Sequence, residues 1–375
     1  MQIPEKIISR DKIILKTSII GIITNVILSA FKGAIGFFTN SIAIMVDAIN
    51  NISDALSSVI TIIGLKLAGK KPDKDHPYGH GRIEYLTALT IGMIILYTGF
   101  TAVISSVKKI ISPELPEYDN VSLIIIAVAV VVKLFLGIYT QKMGVRANSD
   151  SLIASGLEAK FDTLVSFSTL VAAFIFIFFG VSLEAYLGVV ISLLLIKTAA
   201  EILKDTINKI LGTRPNLETI KAIYKEIRSI NGVLGAYDLM FHDYGPDKML
   251  GSVHIEVAED MTAGEIDTLI RRIQREIFTK FSVVIDAVGI YAINLKNPQI
   301  KSIHTAIKKL VFSDKFVLQM HGFYVNLDEK IISFDMIIDF DAPSRDELYR
   351  QIVAKVANEF SDYEVLIALD NDYSG

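Results

Sequence analysis

The sequence predicts an α-helical membrane protein: a six-helix transmembrane domain over residues 1–214, followed by two tandem α+β domains at 215–297 and 298–375. Three observations predict it. The front of the chain holds six apolar stretches, each long enough for the ~20 residues that cross a bilayer. Charge is divided along the chain: from Pro215 onward there are 25 acidic and 17 basic residues, a balance of −8, which leaves +4 for the first 214 within a net charge of −4. The rear of the chain repeats itself at an offset of about 80 residues. Hydrophobic residues make up 51% and charged residues 21%, with a mean hydropathy of +0.47. That balance excludes a disordered chain and is too apolar for an ordinary soluble domain of this length. There is no cysteine, which excludes a disulfide scaffold, a thiolate zinc site, an iron–sulfur cluster and a cysteine nucleophile.

The apolar stretches run at about 16–37, 40–68, 84–107, 120–141, 150–181 and 183–203. Tyr85 to Val107 and Thr163 to Leu183 carry no charge. The start, MQIPEKIISRDK, lacks the basic, apolar and small-residue order of a cleaved leader, so the chain is expected to begin as written. Loop charges orient the spans. Lys6, Arg10, Lys12 and Lys16 precede the first; Lys70, Lys71, Lys74 and Arg82 lie in the second loop; Lys142 and Arg146 lie in the fourth. The third loop carries Glu114, Glu117 and Asp119, with Lys108 and Lys109 at a helix end. The excess of Lys and Arg on one side predicts that both termini are cytoplasmic.

Polar residues inside the spans form a pattern. In SIAIMVDAINNISDALSSV, Asp47, Asn50, Asn51, Asp54 and Ser58 share one face at about 100° per residue; in SLIASGLEAKFDTLVS, Ser151, Ser155, Glu158 and Asp162 share another, with Lys160 turned away. Asn50 stands one turn from Asp54, and Glu158 one turn from Asp162. At ~1.5 Å per residue both pairs reach the middle of the bilayer from opposite sides. An ionised carboxylate there costs ~2.5–3.5 kcal/mol or more on insertion scales, so three together require protons or a cation. An oxygen-only cluster suits a hard or borderline divalent ion, since zinc and copper would lack their preferred ligands. Lys32, Lys133 and Lys197 read as snorkelling or packing residues.

The rear half reads helix–strand–strand–helix–strand twice. IKAIYKEI at 220–227 matches IKSIHTAI at 300–307, and Thr262–Glu265 and Ser344–Glu347 are both capping-box starts. His304 and His321 read as surface or fold residues. With no HExxH, no GxSxG and no cysteine, an enzyme is not expected. The acidic rear half has no basic face, which argues against nucleic-acid binding.

SIAIMVDAINNISD, the loop DKDHPYGHGRIEYL and the fifth span ending in Asp162 resemble the cation diffusion facilitator family of divalent-metal exporters, over roughly residues 10–295. The resemblance implies a homodimer in which metal, bound between spans two and five, exchanges for protons. It implies the ligands Asn50, Asp54, Glu158 and Asp162, with Asp47 one turn away. It also implies a membrane domain followed by a ferredoxin-like cytoplasmic dimerisation domain, with a second ferredoxin-like domain beyond the usual family pattern. Zinc-transporting members carry His at ligand positions where this chain has Asn50 and Glu158. Manganese-type members match better, so Mn²⁺ is the expected substrate, with Zn²⁺ and Fe²⁺ next. Asp73, His76 and His80 match a second metal site of some relatives, or form a structural turn. His254 matches a metal-binding histidine, although its expected partner in the following helix is missing. The rival reading is a membrane-anchored metal sensor or scaffold without transport.

Overall fold

The computed structural model of the chain describes residues 5–38, 42–112, 120–214, 216–246 and 248–371, and for residues 5–9, 42, 43 and 46 the backbone alone. Glu114, Glu117, Asp119, Pro215 and the Lys6 side chain lie outside the described residues. Six helices come first: α1 (Glu5–Phe38), α2 (Ile42–Ala68), α3 (Ile83–Ile111), α4 (Asn120–Arg146), α5 (Asp150–Phe179) and α6 (Glu184–Leu211). All six are long and apolar enough to cross a membrane. Several outrun the apolar stretch that announces them: α1 starts at Glu5, α4 ends at Arg146 and α6 at Leu211. Hydropathy stops where charges begin, but Lys, Arg and Glu are good helix formers and the backbone bonding continues through them. Phe135, Ile124, Phe178 and Tyr97 are among many large side chains left on the outside of the helices, a surface suited to lipid.

The chain divides into two compact units, residues 1–213 with 243–248, and residues 214–242 with 249–375. Within the first, α1 packs on α2, α3 on α6 and α4 on α5. The α4–α5 contact brings backbone against backbone. A Cβ at Gly156 would stand 2.5 Å from the backbone nitrogen of Gln141, so only glycine permits the approach. One end of the bundle is closed by a buried ion pair. The Arg10 guanidinium donates to both oxygens of Glu84, at 2.6 and 2.8 Å, and to the carbonyls of Ala147 and Asn148. Arg10, expected in the wet N-terminal segment, is therefore a packing residue joining α1, α3 and the α4–α5 turn.

The second unit holds α7 (Leu217–Ser229), β1 (Gly235–Asp243), β2 (Met249–Ala258), α8 (Ala263–Phe281) and β3 (Val283–Ile293). It continues with α9 (Pro298–Val311), β4 (Val317–Asn326), β5 (Ile331–Ile338), α10 (Arg345–Glu359) and β6 (Glu364–Asp370). The sheets run β1-β2-β3 and β4-β5-β6, with β2–β3 and β5–β6 parallel and β4–β5 antiparallel. Each parallel pair is bridged by a helix whose apolar stripe seals the sheet. Ile220, Ile223 and Ile227 of α7 and Leu269, Ile273 and Ile277 of α8 cover Val253, Ile255 and Val257. In the second repeat Ile303, Ile307, Ile352 and Val356 cover Ile332, Phe334 and Met336. Helix spacing of three to four meets strand spacing of two.

The two capping-box starts differ. Thr262 and Glu265 cap α8 reciprocally. Ser344 makes no side-chain capping bond; there the turn is held by Arg345, whose Nε donates to the Ile338 carbonyl at 3.2 Å. Of the two histidines read as surface or fold residues, His304 packs edge-on against Phe323. His321 is only 1% exposed and is no surface residue.

Candidate metal-transport site

α2 and α5 present their polar faces to each other, and α4 supplies a cation between them. Lys133 Nζ donates to Asp54 Oδ2 at 2.6 Å and to Asp162 Oδ2 at 2.8 Å. Its side chain is 7% exposed. Glu158 lies one turn from Asp162 and accepts from Ser57 Oγ at 3.4 Å. Asn25, Asp54, Ser58, Lys133, Ser155 and Glu158 line a small cavity. In it the Asn25 Oδ1 and Ser155 Oγ atoms are buried with no hydrogen-bond partner among the described residues. Three carboxylates, one ammonium and neutral oxygens thus meet inside the bundle.

The spacing argument therefore brings Asp54, Glu158 and Asp162 together. Asn50 is exposed and does not line the cavity. Asp47 pairs with Lys32 Nζ at 2.6 Å and its carbonyl accepts from the buried Asn51 Nδ2. Lys160 donates to Gln141, away from the carboxylates as expected. Of the three lysines read as snorkelling or packing residues, Lys32 and Lys133 are buried and do not snorkel. Lys32 is 2% exposed and is a buried ion-pair partner, and Lys133 is the centre of the polar cluster. A helical wheel could not assign Lys133 a direction because α4 is almost wholly apolar from Val121 to Ile138, so the lone charge of that run marks no face. Only the two carboxylates needing a counter-ion pointed to it. Asn25, also missed, lies on a buried polar stripe of α1 with Ser18, Ser29 and Lys32, a helical spacing that offered a signal for it.

The second-loop residues Asp73, His76 and His80 also come together, offering one ligand atom each within 4.8 Å of one another. Asp73 accepts from the backbone of His76 at 2.7 Å, which holds its carboxyl below the usual range, and from the backbone of Asp75 at 3.1 Å. His80 Nε2 is 3.4 Å from Asp73 Oδ2, and the His76 and His80 rings lie with centroids 4.4 Å apart and their planes tilted by 42°. In the second unit, His254 stacks on Tyr291 and its Nδ1 is 3.0 Å from Asp238 Oδ2. That contact raises the His254 pKa. Burial alone would raise Asp238, but the imidazoles of His254 and His321 prevail and hold it well below the carboxylate range. His242 is exposed and joins neither cluster.

A membrane bundle whose inner faces converge carboxylates belongs to the class of ion-handling membrane proteins. Residues 18–211 match the cation efflux transmembrane domain, and residues 215–288 match the cation efflux protein cytoplasmic domain. The chain belongs to the cation efflux, or cation diffusion facilitator, family, whose members are transporters rather than enzymes. It is 32% identical over 254 residues to an uncharacterised transporter of Methanocaldococcus jannaschii, covering 67% of this chain and 88% of that protein. It is 29% identical over 246 residues to the manganese efflux system protein MneS of Bacillus subtilis, covering 66% and 83%. A cadmium, cobalt and zinc/H(+)-K(+) antiporter of Bacillus velezensis is 25% identical over 247 residues, covering 65% and 78%.

Proposed function

We propose that the protein exports a divalent metal ion, with Mn²⁺ as its preferred substrate, from the cytoplasm in exchange for protons. The ion binds among Asp54, Glu158 and Asp162, with Asn50 as a neutral oxygen donor that joins when the site rearranges around metal. The observation that carries this reading is the meeting of Asp54 and Asp162 on one Lys133 ammonium, with Glu158 beside them. The oxygen-only donor set and the manganese efflux relative at 29% identity support Mn²⁺ over Zn²⁺ and Fe²⁺.

Electrostatics gives the coupling. With the carboxylates ionised and Lys133 charged, the cluster carries −2, which one divalent ion or two protons neutralise. Metal and protons therefore take turns in a low-dielectric site, and alternating access presents it to each side in succession. Lys133 holds Asp54 and Asp162 in register while metal is away. The protein acts as a homodimer in the cell membrane with both termini cytoplasmic. The domain limits are 1–214, 215–297 and 298–375, and Asp73, His76 and His80 form a secondary cation site at the second loop.

The Lys133 bridge also favours a second reading, a scaffold in which these charges only pack the bundle. Proteoliposomes with an imposed proton gradient separate the two. Mn²⁺ flux is expected to exceed Zn²⁺, Fe²⁺ and Cd²⁺ flux and to vanish in Asp162→Asn. Unchanged flux in that variant, or no flux in the parent, refutes the exporter reading.

A further inference from the structure

The seam between the two soluble repeats holds a second cluster that the transport reading does not use. Asp238 of β1, His321 of β4 and Asp370 at the end of β6 each offer a ligand atom, all within 4.8 Å of one another. His321 Nε2 lies 2.8 Å from Asp238 Oδ1 and 3.9 Å from Oδ2 of both Asp335 and Asp370. The His321 side chain has no exposed area, yet among the described residues neither of its ring nitrogens, nor Asp238 Oδ1, makes a hydrogen bond. The atoms face each other at contact distance without the alignment a hydrogen bond needs. A buried imidazole left this way is costly and calls for a partner.

The surroundings fix the cluster. Tyr237 stacks on His321 with centroids 5.0 Å apart. The Tyr291 hydroxyl donates to Asp335 Oδ2 at 2.7 Å and to Asp238 Oδ2 at 3.1 Å, while His254 Nδ1 stands against that same Asp238 oxygen. One Asp238 oxygen is thus occupied from behind and the other is left for His321 and what lies between them. Gly322, at φ +62°, lets β4 bulge next to His321; a side chain there would collide with the Tyr291 ring.

We infer that Asp238, His321 and Asp370 form a binding site for a first-row divalent transition ion that clasps the first soluble repeat to the second. One imidazole nitrogen and two carboxylate oxygens suit a borderline ion of the zinc and cobalt kind. Calcium and magnesium, which take oxygen ligands, are poor guests beside a histidine. Asp335 and Tyr291 orient the donors, as outer partners of metal ligands commonly do. The ligands come from both repeats, so occupancy reports on whether the seam is closed. The inference is independent of transport.

The test uses full-length protein in detergent, carrying Asp54→Asn and Asp162→Asn so that membrane binding does not contribute. Zn²⁺ equivalents are counted by equilibrium dialysis, and Co²⁺ is read by its visible absorption. Asp370→Asn, at a partly exposed strand end, is expected to fold, to lose one Zn²⁺ equivalent and to change the Co²⁺ spectrum. His321→Gln is expected to do the same. Zn²⁺ is expected to raise the unfolding temperature of the second unit in the parent and not in Asp370→Asn. Parental stoichiometry, spectrum and Zn²⁺-induced shift in folded Asp370→Asn overturn the site and leave a buried Asp–His contact in its place.

Discussion

Lys133 is the residue on which the membrane cluster turns. Removing it as Lys133→Met leaves three carboxylates without an internal counter-charge. At a few ångströms and an effective dielectric near 20, a lost ammonium is worth several kcal/mol. On the proposed exporter reading, metal is then held more tightly and released more slowly. Apparent Mn²⁺ affinity should rise by roughly tenfold or more, about 1.4 kcal/mol per decade, while turnover falls; weaker binding would show that Lys133 assists the ion instead of competing with it. His304 gives a pH prediction in the second unit. Burial against Phe323, and then the neighbouring Lys308, lower its pKa. Below the unfolded value near 6.5 the unfolded chain binds a proton that the folded ring resists. The stabilisation is therefore full above that pH and is lost as pH falls toward the folded value. His304→Gln should lose less thermal stability than the parent between pH 7.5 and 5.5 in differential scanning calorimetry, and equal losses would assign the acid sensitivity elsewhere.

Among the elements, α1 carries more of the bundle's order than its apolar stretch suggests. Arg10 is buried with Glu84 and two carbonyls, so Arg10→Met strands an anion and two acceptors. Breaking one side of a buried pair costs about 3–5 kcal/mol, and the variant should lose its sharp gel-filtration peak well before the parent on heating. The double substitution Arg10→Met with Glu84→Met should recover much of that loss. All six spans and the alternating order of the soluble half were legible in advance, because long apolar runs and strict periodicities each have one economical solution. Helix ends were less so, since α1, α4 and α6 continue into charged residues that hydropathy counts as loop. Within the site, i,i+4 spacing exposed Asp54, Glu158 and Asp162. It was silent on Lys133 and His321, whose roles depend on which helix or strand comes to face them. Sequence spacing reports one element at a time.

For the whole molecule, the matched family domains end at residue 288, while α9 to β6 form a second core of their own. Truncation after Asn297 should accordingly preserve proton-driven Mn²⁺ flux while exposing Asp238 and Tyr291 to solvent. Abolished flux in a folded truncated protein would make the second repeat part of the transport cycle. The seam joining the repeats has a further property. Only residues 294–297 separate β3 from α9, and Asn294 itself donates to the Val325 carbonyl of the second repeat. So short a leash sets an effective concentration on the order of millimolar or higher. A handshake too feeble to hold two separate proteins together would stay engaged here, and it would re-form after every opening without either half diffusing away.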